Sequence, residues 1–191
     1  MDTKEKILKI ACELYLDEGY KGLSMRKVAS RAEISATAIY RHFDSKESLH
    51  QQILIAGFQT FGSYLYQALD VTDPLQRLKK ASDLFYQFAT EQGKYYELLF
   101  LTMDSRDETK VAKSVKHEAR TTFDFMIERV RECMEAGVLK HDDPEEVAML
   151  LLSASNGFFG LHVSQKFKGS QSDIKARYDR AYERLLQGLA T

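Results

Sequence analysis

The sequence predicts an all-α fold of about nine helices, and three observations carry that prediction. Two prolines and ten glycines in 191 residues leave few of the turn residues that a many-stranded sheet requires. Apolar side chains recur at three- and four-residue spacing along most of the chain, the period of a helix with one buried face. Helix-start signals recur as well, as lone serines ahead of apolar runs and twice as Asp-Pro, at Asp73-Pro74 and Asp143-Pro144. The apolar content of 44% against 29% charged is globular and excludes a disordered chain, which could not offset its ordering entropy.

Taken in order, Ile7, Ile10, Ala11, Leu14 and Tyr15 mark one face of a helix from Thr3 to Glu18, ended by Gly19 in a positive-φ conformation. Ser24 caps a short helix that runs to Ala32 on Met25, Val28 and Ala29. Glu33 and Ile34 form a tight turn, and Ser35 caps a third helix from Ala36 to His42. Asp44 with Glu47 three residues on reads as a capping box opening a fourth helix that continues to Leu69. Asp73-Pro74 starts a fifth helix, ended by Gly93. A short segment from Tyr95 to Met103 follows, then a long helix from Thr109 to Ala136, stopped by Gly137. Asp143-Pro144 opens the next helix, with Glu145 and Glu146 at its positive end. After the loop Lys168-Gly169-Ser170, a helix from Ile174 to Leu189 closes the chain. No period of helical-repeat length recurs, so a solenoid is not supported.

The formal net charge is −1, which gives no global sign of a polyanion partner. The charge is nevertheless segregated. Residues 21–46 carry Lys21, Arg26, Lys27, Arg31, Arg41 and Lys46 against Glu33 and Asp44, while both flanking segments are net acidic. The basic segment is the one built from two short helices joined by a tight turn. That coincidence points to a helix-turn-helix, in which the first helix braces the second for entry into a DNA major groove. Val28, Ala29 and Ile39 are the expected shared core. Tyr40 and His42 can donate to phosphate oxygens, and Lys46, in the first turn of a helix where its charge opposes the dipole, suits an external anion. A basic amphipathic segment without such spacing is ordinarily a solvated face; the caps and the turn argue for the sharper reading.

The run Leu23-Ser-Met-Arg-Lys-Val-Ala, then Ile34-Ser, Ala38-Ile-Tyr-Arg-His-Phe and Ser45-Lys-Glu-Ser-Leu, resembles the N-terminal domain of the tetracycline-repressor family of transcriptional regulators. The motif spans residues 3–50. The resemblance implies a DNA-binding domain over residues 1–50 and an effector-binding and dimerisation domain over 51–191. It further implies a homodimer, a repressor released from a palindromic operator by a small molecule; the charges recurring through MDTKEKILKI, which leave no apolar core of signal-peptide length, point to the cytoplasm. By position, Arg26, Ala36 and Thr37 match base-facing sites, and Ser24, Ala38, Tyr40, His42 and Lys46 match phosphate-facing ones. Two departures stand out: Glu33 replaces the family's usual Gly, which makes a positive-φ turn costlier, and Ala38 replaces a polar residue, which removes a phosphate contact. Ala36, Thr37 and Ala38 suit thymine methyl groups, leaving Arg26 as the candidate for guanine.

Twelve of the 21 aromatic residues fall between Phe58 and Phe125, which fits either an ordinary helical core or a small-molecule pocket between helices. The candidate lining is Tyr64, Phe88, Tyr96, Phe100, Phe123 and Met126, with His117 or Arg120 as polar anchor, and the ligand class is apolar or aromatic. Val147 to Gln165 carries no charge over 19 residues; Ser153, Ser155, Asn156 and His162 make it a buried or subunit-facing helix rather than a membrane span. In the family the last two helices form a four-helix bundle across the dimer, for which Ser153, Ala154, Gly157, Gly160, Ala181 and Leu185 are the candidate seam; a wholly intramolecular burial is the alternative. Glu47-Ser-Leu-His50 has the spacing of a di-iron ligand pair but no second copy, and His117-Glu118 lacks a second His, so no metal or other cofactor is expected. No phosphate loop or nucleophile elbow is present and an enzyme is not expected; a helical ligand carrier or enzyme without a DNA-binding role is the rival reading. Cys12 and Cys133 sit in apolar-periodic stretches as buried free thiols.

Overall fold

A computed structural model describes residues 2–101, 112–163 and 169–191. Among these residues the chain forms α1 (Thr3–Gly22), α2 (Met25–Ala32), α3 (Ala36–Ile39), α4 (Lys46–Leu65), α5 (Pro74–Glu91), α6 (Gly93–Tyr96), α7 (Lys113–Glu135), α8 (Pro144–Val163) and α9 (Gln171–Leu189). The only extended pairing in this set is an isolated antiparallel bridge between Leu139 and Ala190. Among the described residues no helix is long and apolar enough to cross a membrane, and no cluster of metal-ligating side chains occurs. The contacts divide the chain into two compact units, Met1–Gln59 with Lys94–Glu118, and Thr60–Gly93 with Ala119–Thr191.

In the first unit, Ile7 and Leu14 of α1, Val28, Ala29 and Ala32 of α2, Ile39 of α3, Phe43, and Leu49 and Ile53 of α4 form one buried core. Each large apolar side chain removed from water there contributes about 1.5–3 kcal/mol. Gly19 takes φ 68° and breaks the helical course of α1 before Tyr20, as the sequence predicts. Ser24 accepts a bond from the Lys27 N–H at 3.2 Å and Ser35 one from the Ala38 N–H at 3.0 Å, the two expected caps. Between them Glu33 adopts φ 60°, ψ 38°, and the Ile34 N–H reaches the Ala29 carbonyl at 3.0 Å, closing α2 in a left-handed cap. The turn therefore takes the positive φ that Glu33 makes costly, held there by the burial of Ala32 on one side and Ile39 on the other.

Several boundaries differ from the sequence reading. The third helix stops at Ile39 rather than His42, because the Arg41 and His42 N–H groups bond three residues back, to Ala38 and Ile39, in a tighter turn. The fourth begins at Lys46, and its cap is Ser45, whose Oγ accepts from the Ser48 N–H at 3.0 Å; the expected box between Asp44 and Glu47 does not form. It ends at Leu65 and continues to Asp70 as 3₁₀ helix. Gly93 opens α6 instead of merely closing α5. The final helix begins three residues early because Ser170 and Asp173 cap each other's backbone. The expected limits Met103, Thr109, Gln165 and Lys168 lie outside the described residues.

In the second unit, α5, α8 and α9 meet on an aromatic core of Phe85, Tyr86, Phe159 and Tyr178, with ring centroids 5.3–5.7 Å apart. Its polar centre is the Tyr178 hydroxyl, 2.8 Å from Ser82 Oγ and 3.1 Å from Ser155 Oγ. Burial pushes that phenol up to about 12. Arg77 donates to Glu132 at 2.8 Å and to the Val71 carbonyl at 2.6 Å, tying the start of α5 to α7, while buried Arg129 shares the same carboxylate. Cys12 and Cys133 are both buried and free. Burial raises the Cys133 thiol to about 11, so it is inert as a nucleophile.

Because Glu33 holds a left-handed backbone, Glu33→Gly is expected to raise stability by about 0.5–1 kcal/mol, the relief of strain exceeding the added unfolded-state entropy. Urea unfolding of the two proteins measures it; an equal or lower midpoint in the variant contradicts the strain.

Candidate nucleic-acid interface

The helix-turn-helix is held from within the first unit. Four residues of helix cannot persist alone, so α3 depends on its Ser35 cap and on the fully buried Ile39. With Ile39 inward, Ala36 and Thr37 are exposed, and so is Arg26 on α2. Tyr40 is 52% exposed, so its ring and hydroxyl are accessible from outside. Ser24, Ala38, His42 and Lys46 are half-buried. All eight sequence-chosen residues thus stand in one unit.

Electrostatic partners separate the six basic residues of this segment. Glu18 of α1 takes Lys27 at 2.6 Å and Arg31 at 3.5 Å. Lys46 places its ammonium 4.0 Å above the Tyr20 ring. Among the described residues no ion pair involves Lys21, Arg26 or Arg41. Arg26, on the exposed side of α2, is therefore available for a base or phosphate, whereas Lys27 and Arg31 are half-neutralised by an acid of their own chain. Glu18 lies outside the basic segment in sequence, in the net-acidic stretch that precedes it. Its signal is the acidic pair Asp17-Glu18 just before Gly19, where the helical course breaks. Asp17 in turn pairs with Lys94. The Lys94 ammonium beside it holds the Asp17 carboxyl below its ordinary range.

Comparison with known proteins agrees with this geometry. A family described as bacterial regulatory proteins, tetR family, matches residues 7–53, and one described as tetracyclin repressor-like, C-terminal domain, matches residues 78–185. The chain belongs to the tetracycline-repressor family. Relatives include the HTH-type transcriptional activator FasR of Mycolicibacterium smegmatis, 34% identical over 60% of this chain and 52% of that protein. The match thus spans about half the length of FasR. The biofilm operon negative regulator IcaR of Staphylococcus epidermidis is 23% identical over 95% of this chain and 96% of that protein. The solved structure of a protein of unknown function from Rhodococcus sp. RHA1 has the same fold, with TM-score 0.88 and 20% identity over 100% of this chain and 97% of that one. Like other members of the tetracycline-repressor family, the chain is a DNA-binding transcriptional regulator.

The residues chosen for an effector site divide between the units. Tyr96, Phe100 and His117 belong to the first; Tyr64, Phe88, Arg120, Phe123 and Met126 belong to the second. Phe88 is fully buried, with the Phe61 and Tyr64 rings 4.9 and 5.7 Å away, and the Tyr64 hydroxyl donates to Glu91 at 2.7 Å. Arg120 is already engaged, with Asp124 at 2.6 Å and Glu145 at 2.7 Å, on a charged cleft of about 390 Å³ that Glu128 and Arg131 also line. Tyr96 is buried, and His117 is exposed.

The candidate seam is a defined face of α8. Val147, Leu151, Ser155 and Phe159 point into the second unit, and Met149, Ser153, Gly157 and Leu161 run along the opposite side. Met149, Leu150 and Leu161 are 54%, 46% and 47% exposed. A side chain added at Gly157 or Gly160 would meet open space. Ala154 is half-buried on this helix; on α9, Ala181 is exposed and Leu185 half-buried. The small-residue reading omitted Met149, Leu150 and Leu161, although their offset from the buried four-residue series was visible in the sequence.

Since Glu18 restrains two cations of the helix-turn-helix, Glu18→Gln is expected to tighten binding to any duplex several-fold and to steepen the salt dependence by about one phosphate. Fluorescence anisotropy over a salt series reads both; an unchanged slope with unchanged affinity contradicts the restraint.

Proposed function

We propose that this regulator acts as a homodimeric repressor that binds a palindromic operator and leaves it when a small apolar or aromatic molecule binds its body. One observation carries the DNA half of the reading: Arg26, Thr37 and Tyr40 are exposed together on a helix-turn-helix whose inner face is closed by Ile39 and Phe43. Arg26 reads a guanine, Ala36 and Thr37 approach thymine methyl groups, and Ser24, Tyr40, His42 and Lys46 hold phosphates. Ala38 contributes closeness rather than a bond. Repression is favoured over activation by the likeness to IcaR along nearly the whole of both chains, where the FasR likeness covers half of that protein.

Two chains are needed because one helix-turn-helix carries little free positive charge. The outward stripe of α8 supplies the surface for pairing, with Ser153, Ala154, Gly157 and Gly160 permitting close approach and Ala181 and Leu185 adding the α9 side. A dimer places two recognition helices about one helical turn apart on the duplex. In functional terms residues 1–50 form the DNA-binding part and 51–191 the sensing and pairing part. Helix α4 is continuous across that division, so a ligand that displaces its C-terminal half moves its N-terminal half as well. The aromatic residues of the body, among them Tyr64, Phe88, Phe123 and Met126, support an apolar or aromatic ligand. The protein works in the cytoplasm, where its operator is.

A gel shift against DNA upstream of the protein's own gene tests the central reading. With about 8 phosphates neutralised by the dimer, log affinity falls with log salt at a slope near −7; a slope near zero refutes DNA binding. Arg26→Ala is expected to relax specificity at one position of each half-site, by about 1–3 kcal/mol, and Lys46→Ala to weaken all sequences alike. Equal losses on operator and random duplex for both variants contradict that division.

Gly157→Glu tests the seam, because the position is open in the single chain. The variant is expected to keep its helicity, sediment as a monomer at micromolar concentration and lose operator binding by at least about tenfold, since each head then binds alone. A dimeric Gly157→Glu protein places the interface elsewhere.

A further inference from the structure

We propose that Tyr20 is a positioning residue for DNA-backbone binding, holding the Lys46 ammonium in place as a preset phosphate contact; this rests on the DNA-binding reading above. Lys46 is the first residue of α4, where a positive charge is opposed by the helix dipole. Left to itself, such a lysine would swing away through many rotamers, and fixing it on a phosphate would cost most of that freedom. Here its Nζ lies 4.0 Å from the centroid of the Tyr20 ring, in cation–π contact.

The ring is itself fixed from two sides. Its hydroxyl donates to Glu47 Oε1 at 3.0 Å, and its edge meets the His50 ring with centroids 4.9 Å apart and planes at 76°. His50 is backed by Tyr15, also at 4.9 Å. Two successive turns of α4 therefore grip one aromatic of α1. The helical course breaks at Gly19, φ 68°, so Tyr20 leaves the azimuth that a continuous α1 would impose. Glu47 is spoken for by the tyrosine: its carboxyl is held below the ordinary range by its own backbone N–H, the N-terminal bonding of the helix, and then by the Tyr20 hydroxyl. The carboxylate nearest in sequence is thus anchored to the phenol, and the ammonium rests on the ring face. A ring face occupies one side of an ammonium, and the remaining N–H donors stay available for phosphate oxygens.

A double-mutant cycle on the full chain decides the matter, read by anisotropy with a short fluorescent duplex over a salt series. Tyr20→Leu is expected to weaken binding about fivefold in the Lys46 background, within the range of a partly desolvated cation–π contact, and Tyr20→Phe, which keeps the ring, to rescue it. In a Lys46→Ala background Tyr20→Leu is expected to have no further effect. Losses that add in the two backgrounds, or a Tyr20→Phe as weak as Tyr20→Leu, make Tyr20 a merely structural residue and overturn the proposal. Melting curves report folding of each variant; where Tyr20→Leu does not fold, Tyr20→Met takes its place in the same cycle with the same two outcomes. A wild-type chain that ignores duplex DNA at every salt concentration overturns the DNA-binding reading and this proposal together, whereas additivity overturns this one alone.

Discussion

The length of α3 is the constraint on which the DNA-binding surface depends. Four residues make a single turn, and one turn does not repay the entropy of its own nucleation. Every bit of order in it must come from its neighbours. Ser35 fixes the first donors, Ile39 anchors the inner side in the core of α1, α2 and α4, and Phe43 stops the chain before α4 begins. Glu33 belongs to the same set: its left-handed backbone accompanies the burial of Ala32 before the turn and Ile39 after it. Local strain is stored where orientation matters and is covered by packing.

Electrostatics in the first unit follow from the same economy of parts. The six cations between Lys21 and Lys46 do not act as a uniform patch. Glu18 draws Lys27 and Arg31 back toward α1, Tyr20 receives Lys46, and Lys21, Arg26 and Arg41 have no ion pair among the described residues. A near-neutral chain thereby presents a short basic surface with graded availability.

Much of this was legible in the sequence because it is local. Ser24 and Ser35, the Asp-Pro starts, Gly19 and the burial of Ile7, Val28 and Ile39 follow from caps and periodicity, and each stands as expected. The misplacements were choices between adjacent candidates. Asp44 and Ser45 both cap well, and the decision went to Ser45 through the tight turn that precedes it. Glu18 and Tyr20 have roles that depend on which elements meet in space, which no spacing along the chain encodes, whereas the outward side of Met149 follows from its offset to the buried series Val147, Leu151, Ser155 and Phe159. Family resemblance supplied the eight positions proposed to face DNA, yet it could not say which cations already have partners.

The buried hydroxyl cluster bears on more than the core in which it lies. A helix packed only by hydrocarbon can rotate a fraction of a turn and find other holes to fill. Ser155 cannot: turning α8 about its axis would separate it from Tyr178 and leave a buried alcohol unpaired. The phenol of α9 therefore acts as an angular key for α8. With one side of that helix keyed inward, Met149, Ser153, Gly157 and Leu161 are committed to point outward. A hydrogen bond that never meets solvent thus determines which residues of α8 the outside world sees.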